Sequence, residues 1–418
     1  MPPSTSAWPC PDLSWFDTLG ADSLLERPVS CIPRVPERLQ AQYRAAKLVL
    51  LEKLAEAGTA AERLRAWKAL LLLDRFLLWK GFRRGGKGRG GIRQNASERA
   101  VAERLSLFWA GQWVALARPA HDAIRPARRR RGPVPPERIR ELVEDGAWRW
   151  LLAALRGGAP MLDSPEVVDD LRRLLPEEST ADNGARRASA VDIPDDDFRK
   201  AVAQELREAS PHAAAGRDGS RATHWQVGSG DEHFERLLAR ALKHWLDGEA
   251  PEELDDIFSR QTLFVLQKIS GGIRPIAVGA FLRRLALRAL LRCKRQEVQD
   301  AVGSMRRRRR REALSLTAAS GNSKTVLSLD LKNAYGTVGR EAAQAAVRDR
   351  TPWMRPLVDR LLNATTRNAY DTVDGDTIWI EQGTGVPQGC PLSTFLFCVT
   401  LAGVGSDSGR APPARLWD

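Results

Sequence analysis

The sequence predicts an α+β chain in two unequal parts: a mainly helical, basic region, then a region where short strands alternate with helices. Three observations support this. Residues 37–175 are dominated by helix formers with apolar side chains near helical spacing. After residue 190, short β-prone runs are bounded by Gly-Gly or Asp-Gly turn signals. Between them, residues 176–190 are small and polar, which reads as a linker.

The chain has 418 residues, a formal charge of +13 and 43% hydrophobic residues, enough for real cores and for more than one domain. The excess of 65 Lys and Arg over 52 Asp and Glu fits a polyanionic partner. The five cysteines show no CxxC spacing, which argues against a disulfide framework and a zinc site. No histidine pair has the four-residue spacing of a helical metal site. The most apolar segment, Ala69 to Trp79, is interrupted by Asp74-Arg75 and is shorter than the ~20 residues of a membrane helix. No secretory signal is visible, so the expected location is nuclear or cytoplasmic, with no membrane partner.

Taken in order, residues 1–36 are Pro- and Ser-rich and are expected to be loose. Glu37 to Lys80 reads as two helices broken at Gly58-Thr59. Gly81 to Gly91 is a cationic, Gly-rich stretch, suited to lying along phosphates or to serving as a solvated linker. One helix is expected over Ser97 to Leu116, then a boundary around Arg128-Arg129-Arg130-Arg131, and helices over Glu137 to Leu155 and Ser164 to Leu175. The tryptophans of this region fall at amphipathic spacing and are expected in the core.

Pro194 to Glu208 and His233 to Leu246 are expected helices. Thr262 to Lys268 and Ile273 to Val278 make a candidate hairpin around Gly271-Gly272. A long helix is expected over Phe281 to Gln299, followed by the Arg306 to Arg311 run. Thr325 to Asp330 reads as a buried strand ending in a carboxylate, which needs a cationic partner or serves as a helix cap. Helices over Val338 to Arg348 and Pro352 to Asn363 follow, then two β-prone runs joined by Asp374-Gly375. Gly383 to Gly389 is a glycine-rich loop leading into a helix, and 403–418 is a polar tail.

Four motifs stand in order: Gly216-Arg217-Asp218-Gly219, LQKISGGIRPIAVGAFLRRL at 266–285, LDLKNAY at 329–335 and GTGVPQGCPLS at 383–393. Together they resemble the fingers and palm motifs of reverse transcriptases of non-LTR (LINE-like) retrotransposons. The resemblance covers about residues 191–400 and implies that 191–402 is the fingers and part of the palm of a right-hand polymerase. It implies an RNA template, a DNA primer, deoxynucleoside triphosphates and Mg2+ as partners. Asp330 would be the catalytic carboxylate, with the Leu331 carbonyl a second oxygen ligand for the metal; nucleotidyl transfer uses two such ions about 3.5–4 Å apart. Tyr335 matches the aromatic beneath the sugar, and Lys268 and Arg274 match basic residues near the triphosphate. Gln388 and Gly389 match the loop that touches the nucleotide. Arg283 and Arg284 are candidates for template phosphates or for a solvent face. Arg129, Arg130, Arg308 and Arg309 are candidate nucleic-acid contacts in the two arginine runs.

The pattern departs from the family in two places. The family's later strand ending in Ala-Asp-Asp has no counterpart; after Leu401 only Asp407 and Asp418 occur, each alone. Pairs such as Asp255-Asp256 lie upstream, with no strand pattern before them. The path from Gln299 to Thr325 is basic where the family's is acidic and Gly-rich. The expectation is therefore a polymerase portion truncated after the GVPQG motif and inactive alone. The alternative is a non-catalytic nucleic-acid-binding remnant acting through Gly85–Gly91, Arg128–Arg131 and Arg306–Arg311.

Overall fold

In the computed structural model the described residues are 11–20, 25–26, 28–80, 90–122, 139–140, 143, 165–178, 191–268, 272–302, 333–372 and 376–406. Four strands form one mixed sheet: β1 (Arg260–Gln267), β2 (Ile273–Val278), β3 (Thr366–Asp371) and β4 (Thr377–Gln382). Their order is β2-β1-β3-β4. Both predicted hairpins form as antiparallel pairs, with Val265 opposite Pro275 and Ala369 opposite Trp379. The two hairpins join through a parallel β1–β3 pairing, Gln261 beside Asn368. A parallel pair needs a long crossover, and here the chain between β1 and β3 contains the NAY motif.

Leu263, Val265, Ile273, Ala277, Tyr370 and Ile380 face one way, as the period of two requires, and pack on Val167, Leu171 and Leu175. Val167 and Leu171 lie on the helix Pro165–Leu174, which is thus the cover of the sheet.

The first two helices part at a side-chain cap. α1 spans Gln40–Glu56 and α2 spans Ala60–Leu78, separated at the predicted break. Thr59 closes a capping box: its hydroxyl accepts from the Glu62 amide at 3.2 Å, and the Glu62 carboxylate accepts from the Thr59 amide at 3.0 Å. The expected helix over 97–116 is instead two, α3 (Gly90–Trp109) and α4 (Trp113–Asp122). Gly111, at φ 66°, makes the break. The covering helix Pro165–Leu174 is α5; α6 is Asp195–Glu208, α7 is Glu232–Leu246 and α8 is Glu252–Ser259. The long helix expected from Phe281 is also divided, into α9 (Phe281–Cys293) and α10 (Arg295–Val302), because Lys294 leaves helical geometry. α11 (Arg340–Arg350), α12 (Arg355–Asn363) and α13 (Ser393–Ser406) complete the later part. No helix among the described residues is long and apolar enough to cross a membrane.

The segment expected to be loose is partly docked. Phe16 sits in a 3-10 turn over Ser14–Thr18, is fully buried, and meets Trp113 edge-on at 4.8 Å. The buried Phe16 anchors this Pro-rich stretch against its composition. The predicted boundaries also do not divide the core: one apolar cluster runs from Leu13 to Val399.

A buried polar hub stitches the two parts together. Asp74 of α2 accepts from Lys47 at 2.6 Å, from the Tyr43 hydroxyl and from the Ser220 hydroxyl at 2.5 Å. The His224 Nδ1 lies 3.4 Å away. Burial alone would raise the Asp74 pKa, but Lys47 and His224 more than offset it and hold the carboxyl below the usual range. The Lys47 ammonium also stands 3.5 Å over the Trp225 ring. Arg217 makes a second stitch: it donates to Asp371 at 2.5 Å, to Thr377 at 2.8 Å and to the Leu25 carbonyl at 2.7 Å.

Candidate functional site

Three motifs far apart in sequence meet beside the outer edge of β2. The NAY motif enters as a one-turn helix, Ala334–Thr337, after Asn333. Asn333 has φ 51°, a left-handed conformation that Asn tolerates better than most residues. Its carbonyl accepts from the Gly336 amide at 2.8 Å and the Thr337 amide at 3.2 Å, which closes the turn carrying Tyr335.

The loop before α13 lies against this turn. The Val386 amide donates to the Tyr335 carbonyl at 2.7 Å. Gly385 has φ 75°, and a Cβ there would strike the Gly336 carbonyl. Two residues past Val386, the Gln388 carbonyl accepts from the Ala277 amide of β2 at 2.7 Å. Gly389 has φ 126° and presses on the Ala277 carbonyl, so no side chain fits there either. The loop therefore ties NAY to the hairpin entirely through backbone, and glycine is required at the two closest approaches.

The Tyr335 ring is half-buried. It packs on Phe397 with centroids 5.5 Å apart, and its hydroxyl is 3.2 Å from the Thr394 hydroxyl. Arg274 is exposed on β2, opposite Leu266. Lys268 is half-buried where β1 ends, its amide donating to the Gly272 carbonyl at 3.0 Å. Gln388 is half-buried and Gly389 exposed.

Two predicted contacts are spent differently. Arg283 is buried and donates to the Phe258 carbonyl at 2.6 Å. Arg284 donates to the Ala214 carbonyl at 2.9 Å, and burial pushes its pKa down to about 10. Arg283 thus packs inward against the end of α8, Arg284 is half-buried beside Ala214, and Arg288 further along α9 stays exposed. Asp330, Leu331, Arg129, Arg130, Arg308 and Arg309 lie outside the described residues, as does the Thr325 to Asp330 stretch. Among the described residues, no group of three or more His, Cys, Asp or Glu side chains could hold a metal ion.

Two buried charged groups carry environments that sequence reasoning does not show, one behind the site and one beside the Asp74 hub. Arg340 is 1% exposed and donates to the carbonyls of Gly385 at 3.0 Å, Leu362 at 2.7 Å, Ala364 at 3.0 Å and Gln382 at 2.7 Å. Burial lowers its pKa to about 10, so it remains charged at neutral pH. It fixes the loop from behind, but at a helix start it reads like any solvated arginine. Asp218 is the second: it is 1% exposed, and neither carboxylate oxygen has a hydrogen-bond partner. Burial raises its pKa to about 7, with Arg284 opposing and Asp74 adding to the shift. The nearby Ser220 and Phe281 amides also oppose it, without completing hydrogen bonds.

No protein-family model and no curated protein matches this chain.

Proposed function

We propose that residues 191–402 are the fingers and part of the palm of an RNA-directed DNA polymerase of the non-LTR retrotransposon kind. One observation carries this reading: the hairpin, the NAY turn and the GVPQG loop converge through two backbone hydrogen bonds of 2.7 Å, Val386 to Tyr335 and Ala277 to Gln388. Chance motifs have no reason to share one edge of one sheet. The agreement is with a nucleotide site in which Tyr335 lies beneath the sugar, excluding a 2′-hydroxyl, while the Gln388–Gly389 backbone and the Arg274 and Lys268 cations meet the incoming triphosphate. Mg2+, held by Asp330 and the Leu331 carbonyl, would neutralise phosphate charge and activate the primer hydroxyl. These 418 residues carry one of the three carboxylates the family uses for that purpose.

The reading is tested with the purified chain on a primed RNA template. Binding is expected to weaken steeply with salt, because a chain of charge +13 that contacts phosphates releases counterions. Mg2+-dependent primer extension is expected to be absent. A flat salt response overturns the nucleic-acid assignment, and dNTP incorporation overturns the single-carboxylate site.

A further inference from the structure

We infer that Leu174–Glu178, a segment outside the polymerase-like motifs, is a positioning strap for the nucleotide site; this rests on the function proposed above. The strap leaves the end of α5 and makes contact with two of the three converging motifs. At its start, the Leu174 carbonyl accepts from the Asn333 side-chain amide at 2.9 Å. Asn333 is the one non-glycine among the described residues with positive φ. Asn tolerates a left-handed φ better than most residues, and this hydrogen bond fixes its side chain where the chain turns into Tyr335.

Two residues on, the Pro176 carbonyl accepts from the Gly383 amide at 2.9 Å and the Thr384 amide at 3.2 Å. The Thr384 hydroxyl then donates to the Glu178 carbonyl at 2.6 Å. These bonds anchor the first residues of the loop whose later residues hold Tyr335 and β2. The strap itself is fixed, because Leu175 and the α5 side chains Val167 and Leu171 are buried against the sheet. Sheet, turn and loop are thus indexed to one another through the last residues of a helix and the first three residues of what composition alone marks as a linker.

The consequence is a division of labour. The NAY turn and the loop carry the groups that meet a nucleotide, and the strap sets their separation. Sites of this kind lose function when supporting contacts shift a group by about 1 Å. Thr384 and Asn333 are therefore positioning residues: they act through Tyr335 and Gln388.

The test uses the full chain on an RNA template whose DNA primer ends in a dideoxynucleotide, with Mg2+, and compares the affinities for dATP and ATP. Thr384→Val removes the bond to Glu178, and Thr384→Ser keeps it. Asn333→Gly keeps the left-handed turn without strain but loses the bond to Leu174. Thr384→Val and Asn333→Gly are expected to weaken dATP binding about fivefold per lost hydrogen bond and to lower the dATP-to-ATP preference. Thr384→Ser is expected to retain both. A thermal melt of each variant gives the folded fraction, to which affinities are normalised. If the wild type prefers dATP and both weakening variants keep its affinity and preference, the strap role is overturned while the proposed function stands. If the wild type binds neither nucleotide, the proposed function fails and the strap role fails with it.

Discussion

The Val386 amide meets the Tyr335 carbonyl at 2.7 Å, and this contact sets how closely the loop approaches the turn. Gly385 makes it accessible at φ 75°, with its Cα facing the Gly336 carbonyl. Gly385→Ala adds a Cβ where backbone already stands and imposes a left-handed alanine. We expect a loss of roughly 1–3 kcal/mol in denaturant unfolding, together with weaker nucleotide binding. Ala at an unconstrained glycine such as Gly58, where the added Cβ meets only the end of the Glu62 side chain, is the control.

Arg340 holds four carbonyls from three segments. Arg340→Met keeps the apolar stem and removes every donor, which leaves buried acceptors unpaired. The expected loss is about 3–5 kcal/mol, read as a fall in the urea midpoint. Arg340→Lys is expected to recover only part of it, because one ammonium cannot reach acceptors spread around a planar fork.

The Asp74 hub predicts strong coupling. Lys47→Met leaves a buried carboxylate without its cation and is expected to cost about 3–5 kcal/mol. Combining it with Asp74→Leu is expected to cost clearly less than the sum of the two single changes, since the uncompensated charge is gone. A double-mutant cycle in chemical denaturation measures the difference.

Two buried carboxylates give opposite pH dependences. Asp218 has its folded pKa raised from 3.8 to about 7, so the folded chain holds a proton that the unfolded chain releases. Its contribution is fully present below pH 3.8 and is lost as pH rises toward 7. Asp74 has its folded pKa depressed, so its contribution is present above the unfolded value of 3.8 and is lost at more acid pH. Asp218→Asn is therefore expected to stabilise the chain at pH 8, by roughly 2–4 kcal/mol from the size of the shift, with the advantage shrinking toward pH 4. Unfolding curves at pH 4, 6 and 8 for both proteins check it.

Local signals were legible where local chemistry decides. Both hairpins follow from β-prone runs around Gly-Gly and Asp-Gly, and the α1–α2 break follows from Gly58-Thr59 and its cap. Helix breaks at Gly111 and Lys294 were not, because one residue inside a strong apolar period does not announce its φ. The burial of Arg283 is invisible for a related reason: periodicity marks a polar face but not whether a distant carbonyl, here that of Phe258, meets it. The motif residues of the site were recognisable as types at fixed spacing. The groups that hold them, Arg340 and the Leu174–Glu178 strap, act through backbone carbonyls, which every sequence supplies and none displays.

The proposed nucleotide site is tested most directly by photo-crosslinking of 8-azido-dATP to the chain on a dideoxy-terminated, primed RNA template, followed by peptide mapping. Template-dependent adducts are expected on peptides containing Arg274, Tyr335 or Gln388. Adducts confined to residues 1–190, or adducts that form equally without template, would contradict the proposed site.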